Sequence, residues 1–385
     1  SFRIFAAPMP RILFITQHRP DRSPGQRFRF EQYLSYLEQH GYRCEHSPIV
    51  SEGDDKFLYK PGNYFEKARF VRRSHAVRRR DVERMNDFDI IFIFREALMT
   101  RNIRFEKLFR QSRAKLVFDF DDAIWLQNVS EANKWFSWIK DAGKTSKLIG
   151  LSDLIFAGNA YLADYAKRFN PNTVIVPTTI DTEEYKPADR KGEGPVTIGW
   201  SGSITTIQHF RYAIPALKTI KAKYGDRVAI RVVGDGSYRE PDLGVVGMPW
   251  RKDTELQDLG GMDIGIMPLP DDEWARGKCG LKGLQYMALG IPAIMSPVGV
   301  NSEIIRDGVN GHLATTTEEW VDRLSRLIDS TEARRAMGIE ARRTVEEHYS
   351  VHAWRSRYLE HFNRLIEPHG PNDQRPEADR AHARA

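Results

Sequence analysis

The sequence predicts an α/β protein made of two Rossmann-like, doubly wound domains in succession. Three observations predict this fold class. Continuous apolar runs alternate with helical stretches, a polar segment interrupts the alternation near the middle, and the alternation then resumes. Uninterrupted apolar strands indicate parallel sheets covered on both faces, because a half-exposed sheet would alternate apolar and polar residues. A chain of 385 residues also exceeds the size at which a single core keeps growing.

The first domain is predicted over residues 9–187. It opens with strand Arg11–Thr16, followed by a loop and by a helix from Gln26 to His40 whose apolar residues recur at helical spacing. Gly41 is placed to end that helix. The other predicted strands of this domain are Ile90–Phe94, Leu116–Phe118, Leu154–Ala157 and Thr173–Val176.

The second domain is predicted over residues 196–348, after a linker at residues 188–195 that is polar and rich in proline and glycine. We expect a C-terminal helix at residues 349–366 to pack back on the first domain, and a disordered polar tail at residues 367–385. The predicted strands are Val196–Trp200, Ala229–Val233, Asp263–Met267 and Pro292–Met295; the predicted helices are Tyr212–Tyr224, Leu281–Leu289 and Thr317–Leu327.

Composition indicates a globular enzyme, with 41% apolar and 29% charged residues. No apolar run approaches the roughly 20 residues needed to span a bilayer. Cys44 and Cys279 form no disulfide framework, which is typical of a reducing compartment. These features predict a cytoplasmic protein.

One short segment, Lys67 to Arg84, concentrates positive charge. Three interpretations stay open: a solvated helix face, attraction to an anionic membrane surface, and nucleic-acid binding. The last is disfavoured because no stacking pattern or reader motif accompanies the charge, so we expect no nucleic-acid partner. Tyr64, Phe65 and Phe70 stand beside the cations, which is typical of an interfacial segment and predicts peripheral contact with the inner membrane face.

Two loops in the second domain have the chemistry of a phosphate site. The loop from Gly277 through Cys279 to Gly280 leads into a helix near Leu281, where unpaired backbone N–H groups and the positive helix end would face a ligand. The cations of this cluster are Arg276, Lys278 and Lys282. The second loop, Gly202 and Ser203, follows a predicted strand and could cradle phosphate. Alternatively, the glycines of both loops serve only tight turns.

Carboxylates end a strand of the first domain, at Asp119, Asp121 and Asp122. They are candidates for catalysis, and three carboxylates this close could also hold a hard cation. Strand geometry disfavours a shared cation, because Asp119 and Asp121 would lie on one face of the strand while Asp122 leaves on the loop. A strand end followed by a helix cap is the third interpretation.

Four ordered patterns resemble glycosyltransferase family 4. They are the loop and helix start Ser23 to Arg27, the stretch VIVPTTIDTEEYKP at residues 174–187, DIGIMP at residues 263–268, and the glycine loop, "ALGIP" turn and "EIIRDGVNG" close within residues 277–311. The resemblance implies two Rossmann-like domains facing across a cleft (the glycosyltransferase-B, GT-B, fold) and sugar transfer from a nucleotide with retention. It also implies leaving-group stabilisation by protein groups, with neither metal nor cofactor.

The resemblance also implies roles for particular residues. The family's two donor-loop glutamates fall at Gly277 and Gln285, of which Gln285 can still bond a ribose hydroxyl. The family's earlier arginine and lysine fall at Ser203 and Gln208, so Lys278 and Lys282 are expected to supply the charge on the diphosphate instead. Glu303 either supports the donor loop or is a helix N-terminal charge. Trp250 either stacks on a nucleobase or is buried between domains.

On the acceptor side we expect Gly25, Arg27 and Arg95, with solvated surface as the alternative for Arg95. Relatives carry a histidine–aspartate pair in this region; no histidine accompanies the aspartates here, so Asp121 or Asp122 would serve. The predicted function is transfer of a sugar to a hydroxyl of a glycan, lipid-linked or small-molecule acceptor in polysaccharide or glycoconjugate biosynthesis. A non-catalytic partner subunit and a sugar-nucleotide epimerase of the same fold are the alternatives.

Overall fold

The computed structural model describes residues 9–100, 102–126, 143–187 and 194–367, which form two compact units. The first unit contains the chain up to Val176 together with the residues from Arg355 onward, and the second contains Pro177–Trp354. The division therefore falls before the boundary predicted at residue 187. Residues 188–193 of the predicted linker and residues 368–385 of the predicted tail lie outside the described residues.

The first unit is built on a six-stranded sheet in which every pair of neighbours is parallel. Its spatial order is β2-β1-β3-β4-β5-β6. The strands are β1 (Arg11–Thr16), β2 (Arg43–Pro48), β3 (Ile90–Phe94), β4 (Lys115–Phe120), β5 (Leu154–Ala157) and β6 (Thr173–Ile175). Because all strands run the same way, their carboxyl ends meet at one edge, where α/β sheets bind ligands.

The central strands of this sheet are the continuous apolar runs that the sequence displays. Ile12 to Ile15 in β1 and Ile90 to Phe94 in β3 are buried almost completely. Strand β2 was not predicted, because RCEHSP is polar. It lies at the edge of the sheet and, among the described residues, pairs only with β1. Most of its residues are only partly buried, so polar side chains are tolerated there.

Helices cover the first sheet, and one predicted helix is interrupted. The helices are α1 (Pro24–Arg29), α2 (Leu34–Gln39), α3 (Tyr64–Glu83), α4 (Arg104–Arg110), α5 (Gly143–Leu151) and α6 (Ala160–Lys167), with 3-10 turns at Glu31–Tyr33, Gly53–Lys56 and Met85–Asp87. The helix expected from Gln26 to His40 is wrong as a single element. It breaks at Phe30, whose φ of −139° is not helical and whose ring stacks 5.1 Å from that of Phe14. Core packing there overrides the helical periodicity.

The second unit repeats this architecture. Its six-stranded parallel sheet has the order β11-β8-β7-β12-β13-β14, and a separate antiparallel pair joins β9 and β10. The strands are β7 (Val196–Ser201), β8 (Val228–Gly234), β9 (Arg239–Glu240), β10 (Val245–Val246), β11 (Met248–Pro249), β12 (Ile264–Met267), β13 (Ala293–Met295) and β14 (His312–Leu313).

The helices of the second unit bury an apolar core that includes Trp200, Phe210 and Trp320. They are α7 (Ile214–Tyr224), α8 (Glu255–Gly260), α9 (Glu273–Arg276), α10 (Leu281–Ala288), α11 (Asn301–Ile304), α12 (Thr317–Asp329) and α13 (Thr331–Thr344), with 3-10 turns at Ile207–Ala213, Gly225–Arg227 and Pro241–Leu243 and a π-helical turn at Val345–Tyr349. Helix α12 begins with a capping box between Thr316 and Glu319, which fixes its start.

The last helix, α14 (Val351–Ile366), contributes its residues from Arg355 onward to the first unit. Tyr358 stacks on Tyr33 with ring centroids 4.2 Å apart, and the Tyr42 hydroxyl donates a 2.7 Å hydrogen bond to Asn363 Oδ1. Aromatic stacking therefore fixes α14 in the first unit. In the part of the chain that the structure describes, no helix is both long and apolar enough to cross a membrane.

Candidate functional site

A buried tyrosine ties helix α10 to the end of strand β7. The Tyr286 hydroxyl accepts a 2.7 Å hydrogen bond from the Ser201 backbone N–H and lies 3.0 Å from Ser201 Oγ. Burial raises the pKa of Tyr286 to about 12, although the hydrogen bonds with Ser201 oppose the rise, so the phenol stays neutral. The loops after β7 and before α10 therefore have a fixed relation at the carboxyl edge of the second sheet.

Two glycines bring the loops after β7 and β8 into backbone contact. Gly234 has φ +140°, and a Cβ on it would lie 2.2 Å from the carbonyl oxygen of Gly202. The neighbouring Ser203 is exposed, its N–H donates to Thr206 Oγ1 at 2.9 Å, and its hydroxyl lies 2.9 Å from Thr205 Oγ1. A phosphate would have to replace local hydrogen bonds to reach Ser203.

Helix α10 begins without a capping side chain. Its N-cap is Gly280, in the left-handed conformation with φ +72°, and a Cβ there would lie 2.4 Å from Ile304 Cδ1. Glycine is thus needed for both conformation and space. Cys279 is buried beside it, with Sγ 3.8 Å from the Gly277 carbonyl oxygen, and Leu281 is half-buried as the first helical residue. The first-turn N–H groups that follow are the donors a phosphate would use.

The predicted cations occupy different positions around this loop. Lys282 Nζ lies 5.5 Å from the ring centroid of Trp200, next to the end of β7. Lys278 Nζ lies 4.8 Å from the ring centroid of Trp274. Arg276 pairs with Asp271 through a 2.8 Å contact at the surface. The structure therefore brings Lys282 to the β7 loop, where the sequence has Ser203 in place of a basic residue.

Trp250 and Gln285 meet through a carboxylate that sequence analysis missed. Buried Glu255 accepts hydrogen bonds from the Trp250 indole N–H at 3.0 Å, the Tyr185 hydroxyl at 2.9 Å and the Gln285 amide at 3.2 Å. Trp250 is half-buried within the second unit. Tyr185 stands in the aromatic-x-proline part of the 174–187 pattern, which was its only sequence signal; Glu255 had none beyond an acidic first turn of a helix.

Glu303 lies apart from these contacts, exposed on the first turn of α11. A negative charge there is favourable toward the positive end of a helix. The position is compatible with the helix-charge interpretation of Glu303.

At the carboxyl edge of the first sheet, the structure gathers Gly25, Arg95, Asp121 and Asp122. Arg95 Nε lies 2.8 Å from Asp121 Oδ1, and Nη2 lies 2.7 Å from Asp122 Oδ2. A Cβ on Gly25 would lie 3.1 Å from Asp121 Oδ2. Arg95 has φ +63°, which is uncommon for a side chain other than glycine. The two carboxylates are thus anchored by one guanidinium at the end of neighbouring strands.

A histidine that the sequence analysis did not assign to the site is present at this edge, in the loop after β1. His18 follows β1, its Nε2 lies 3.2 Å from the Tyr59 hydroxyl, and burial followed by the charge of Arg22 lowers its pKa to about 4. Gln17 Nε2 donates to Glu96 Oε1 at 2.9 Å, which joins the loops after β1 and β3. The only sequence signal for His18 was its position two residues after the apolar strand β1.

Two arginines differ from the simplest expectation. Arg27 is buried in α1, with Nε 3.7 Å from Asp21 Oδ1, and its guanidinium lies over the ring of Phe28. Arg78, within the basic segment, is fully buried and belongs to the core of the carboxyl edge, donating to Thr16 O at 2.6 Å. The interpretation of the whole segment as a solvated face is therefore wrong for Arg78.

The three aspartates of β4 and its loop are divided between two arginines. Asp119 is buried and pairs with buried Arg29, whereas Asp121 and Asp122 pair with Arg95. Over residues 9–100, 102–126, 143–187 and 194–367, no group of three or more histidine, cysteine or acidic side chains is arranged to hold a metal ion.

Comparison with known proteins adds a family match for the second unit and a fold for the whole chain. Residues 195–330 match the model of the family described as Glycosyl transferases group 1. No curated protein sequence matches the chain.

Several solved structures are similar. A glycosyltransferase from Rickettsia africae is 14% identical, covers 94% of this chain and 100% of its own, with a TM-score of 0.64. Anabaena HepE in complex with UDP and glucose is 15% identical; the match covers 92% of this chain and 99% of the HepE chain, with a TM-score of 0.62. Sucrose-phosphate synthase from Thermosynechococcus elongatus is 14% identical; the match covers 93% of this chain and 99% of the synthase chain, with a TM-score of 0.63. These likenesses show the fold: two parallel-sheet α/β domains of the GT-B type.

Proposed function

We propose that the protein is a glycosyltransferase that moves a sugar from a nucleotide-activated donor to a hydroxyl group, with retention of configuration. The observation that carries the proposal is the carboxyl edge of the second sheet. There the uncapped start of α10, the glycine contact between Gly202 and Gly234, and the charge of Lys282 come together beside the end of β7. This combination suits a diphosphate, and it lies within the segment that matches the glycosyltransferase model.

In this proposal the second unit binds the donor. Backbone N–H groups at Gly280 and Leu281, with Lys278 and Lys282, stabilise the charge that develops on the departing nucleoside diphosphate. Fixed donors at the place where charge develops cost little reorganisation during the reaction, which is why such groups lower the barrier. No metal or cofactor takes part in the proposed step.

The first unit carries the acceptor-side residues in this proposal. Asp121 and Asp122, anchored by Arg95, orient the acceptor hydroxyl and stabilise positive charge developing on the sugar. Arg95 holds both carboxylates in one place through hydrogen bonds of 2.8 and 2.7 Å. Arg27 lies buried nearby in α1 and would act through the position of Gly25 and its loop.

Donor hydrolysis without acceptor tests the proposal directly. We expect slow release of nucleoside diphosphate from one member of a panel of UDP-, GDP- and ADP-sugars, and no release by a variant carrying both Lys278→Ala and Lys282→Ala. A Lys218→Ala variant, changed at an exposed lysine of α7, controls for general loss of charge. NMR of the product with a simple glycoside acceptor would show whether the anomeric configuration is retained.

One observation favours a non-catalytic partner subunit as the second candidate. Gly277 offers no side chain where the family places a sugar-binding glutamate. In that case nucleotide would bind with no turnover of any donor. An epimerase of the same fold would instead convert the donor to its epimer without acceptor, which the same assay detects by product analysis.

We place the acceptor at an anionic membrane surface, as a lipid-linked glycan. The support is helix α3, whose outward positions at helical spacing carry exposed Phe65, Arg69, Arg72 and Arg79. Each basic group near such a surface contributes about 1 kcal/mol to attraction. The alternative is that these arginines only form a solvated helix face. In that case the acceptor is a soluble glycan or a small molecule.

A further inference from the structure

The Glu255 carboxylate is the centre of a buried polar cluster in the second unit, the Glu255 cluster, formed by Tyr185, Trp250, Glu255 and Gln285. Three neutral donors reach it: the Tyr185 hydroxyl, the Trp250 indole N–H and the Gln285 amide, at 2.9, 3.0 and 3.2 Å. Tyr185, Glu255 and Gln285 are all buried. Placing a carboxylate there needs all of these hydrogen bonds, because a buried acceptor without donors is costly.

This cluster determines which way the Gln285 amide points. Its nitrogen donates to Glu255 Oε1 and, at 3.1 Å, to the Tyr185 hydroxyl oxygen. Tyr185 uses its own proton toward Glu255, so its oxygen accepts from Gln285. A flipped amide would turn its oxygen toward the carboxylate, and the two acceptors would repel. In the described residues, no group donates to the amide oxygen of Gln285.

We propose that Glu255 and Tyr185 are positioning residues that hold the Gln285 amide so that its oxygen accepts a hydrogen bond from a ribose hydroxyl of the nucleotide. The same carboxylate also accepts the Trp250 indole N–H, so the indole is held in the cluster with Gln285. The inference rests on the proposed function, since it assigns the donor's ribose to this cluster. It adds two residues, Glu255 and Tyr185, to the donor side.

The cluster also explains why position 285 carries an amide. A glutamate there would place a carboxylate oxygen about 3 Å from the Glu255 carboxylate, where two negative charges cannot both persist without cost. Gln285 and Glu255 therefore form a matched pair in which the negative charge is on α8 and the amide on α10. Exchanging the two side chains should preserve the pair, whereas changing one alone should not.

Titration calorimetry with intact protein tests the inference. The probes are UDP, ADP and GDP with their 2′-deoxy and 3′-deoxy counterparts, and the readout is the ratio of Kd for a deoxy form to Kd for the ribose form. We expect a ratio of about ten in the parent for at least one hydroxyl, since a lost hydrogen bond to a buried acceptor has about this effect. Gln285→Ala and Glu255→Gln should reduce the ratio to near one, and Tyr185→Phe to about three.

The exchange variant gives the decisive comparison. Gln285→Glu alone should weaken nucleotide binding at least tenfold, while Gln285→Glu combined with Glu255→Gln should recover both affinity and the ratio. Tyr224→Phe with Asp329→Asn, a second tyrosine–carboxylate pair of this unit at 2.7 Å, is the matched control and should leave the ratio unchanged. Thermal unfolding shows whether each variant is folded. If Glu255→Gln does not fold, the Kd ratios of Tyr185→Phe and Gln285→Ala test the inference.

Two results would overturn the inference in distinguishable ways. If the parent binds the ribose forms but the ratio is the same in Gln285→Ala, Tyr185→Phe and parent, the ribose lies elsewhere and only this inference fails. If the parent binds no nucleoside diphosphate at all, the proposed function fails and the inference with it.

Discussion

Two buried arginines of the first unit each bind several acceptors. Arg29 pairs with Asp119 and donates to the backbone carbonyl of Val176. Arg78 pairs with Asp81 and donates to the backbone carbonyls of Thr16 at the end of β1, Ser47 near the end of β2 and Ala97 beyond β3. One guanidinium therefore holds three loop starts at the edge where His18 and Arg95 lie. Removing a partner from such a pair leaves a buried charge uncompensated.

We expect Arg78→Met to lower the free energy of unfolding by about 3–5 kcal/mol, because Asp81 and three carbonyls would lose their donor. Arg79→Met, at the exposed neighbour, should change it by less than about 0.5 kcal/mol. Urea unfolding followed by circular dichroism measures both. Equal effects of the two variants would contradict the burial of Arg78.

His46 gives the first unit a measurable response to pH. Neither ring nitrogen has a partner in the described residues, and burial followed by the charge of Arg78 lowers its pKa from 6.5 to about 4. Between these values the unfolded chain binds a proton that the folded chain does not. Stability conferred by the neutral ring is therefore complete above pH 6.5 and falls as the pH decreases toward 4.

We expect His46→Leu to reduce the loss of unfolding free energy between pH 6.5 and pH 4 by up to about 3 kcal/mol. Urea unfolding at several pH values measures this. Cys44→Ala, at another position of β2, is the control, because burial raises the pKa of that thiol to about 12, far from the window. An unchanged pH slope in His46→Leu would show that this ring is not the group responsible.

Lys282 should contribute to phosphate binding and not to base binding. We expect Lys282→Ala to weaken nucleoside diphosphate binding tenfold to hundredfold, as for the loss of a charge-assisted hydrogen bond, with nucleoside binding unchanged. Calorimetry on both ligands makes the comparison, with Lys218→Ala as control. If Lys278→Ala and Lys282→Ala both bind diphosphate like the parent, the α10 loop is not the phosphate site.

At the scale of elements, helix α3 has two faces of different character. Its buried face is Phe70, Ser74, Arg78 and Asp81, which follow helical spacing. Its outward face carries basic side chains and Phe65, whose side chain is 71% exposed. The Phe65 ring centroid lies 5.9 Å from Arg69 Cζ, and a large exposed aromatic among cations suits an interface.

We expect the protein to sediment with anionic liposomes at low salt, with weaker binding at high salt and none to neutral liposomes. Arg69→Gln with Arg72→Gln should reduce the binding, at about 1 kcal/mol per charge. Arg326→Gln with Arg343→Gln, at exposed positions of α12 and α13, should not. Negligible binding to both kinds of liposome would favour a soluble acceptor.

At the scale of the whole molecule, the chain builds the same parallel architecture twice and gives each copy a different charge at its carboxyl edge. The first edge carries Asp121 and Asp122 with Arg95, whereas the second carries Lys278 and Lys282 with an uncapped helix start. Acidic groups suit a hydroxyl and a developing positive sugar; basic groups suit a diphosphate. In the proposed function, the first of these edges is assigned to the acceptor and the second to the donor.

We expect turnover to survive excess EDTA, because protein groups stabilise the leaving group in this proposal. Asp121→Asn or Asp122→Asn should lower kcat at least tenfold while thermal unfolding stays close to that of the parent. Donor turnover with and without chelator, in parent and variants, is the measurement. Loss of activity on chelation that a divalent cation restores would instead establish a metal-dependent reaction.

The sequence alone determined the elements whose signal is local. Continuous apolar runs specified β1, β3 and β7, since strands buried on both faces tolerate few polar residues. The glycine loop and helical pattern of residues 277–288 predicted helix α10 and the loop before it, because the backbone there requires glycine at Gly280. The apolar runs and the glycine loop each lie within a short stretch of chain, so the fold class could be predicted from them.

Only the tertiary structure decided which polar side chains meet. Arg78 became a core residue because the ends of three strands present carbonyls to it, and a basic run does not reveal this. Glu255 accepts hydrogen bonds from Tyr185 and Gln285, which are distant from it in sequence. His18, in the loop after β1, lies at the carboxyl edge of the first sheet, where the charge of Arg95 acts on it. Hydrogen bonds between distant residues depend on how the sheet orders its strands, which no local periodicity encodes.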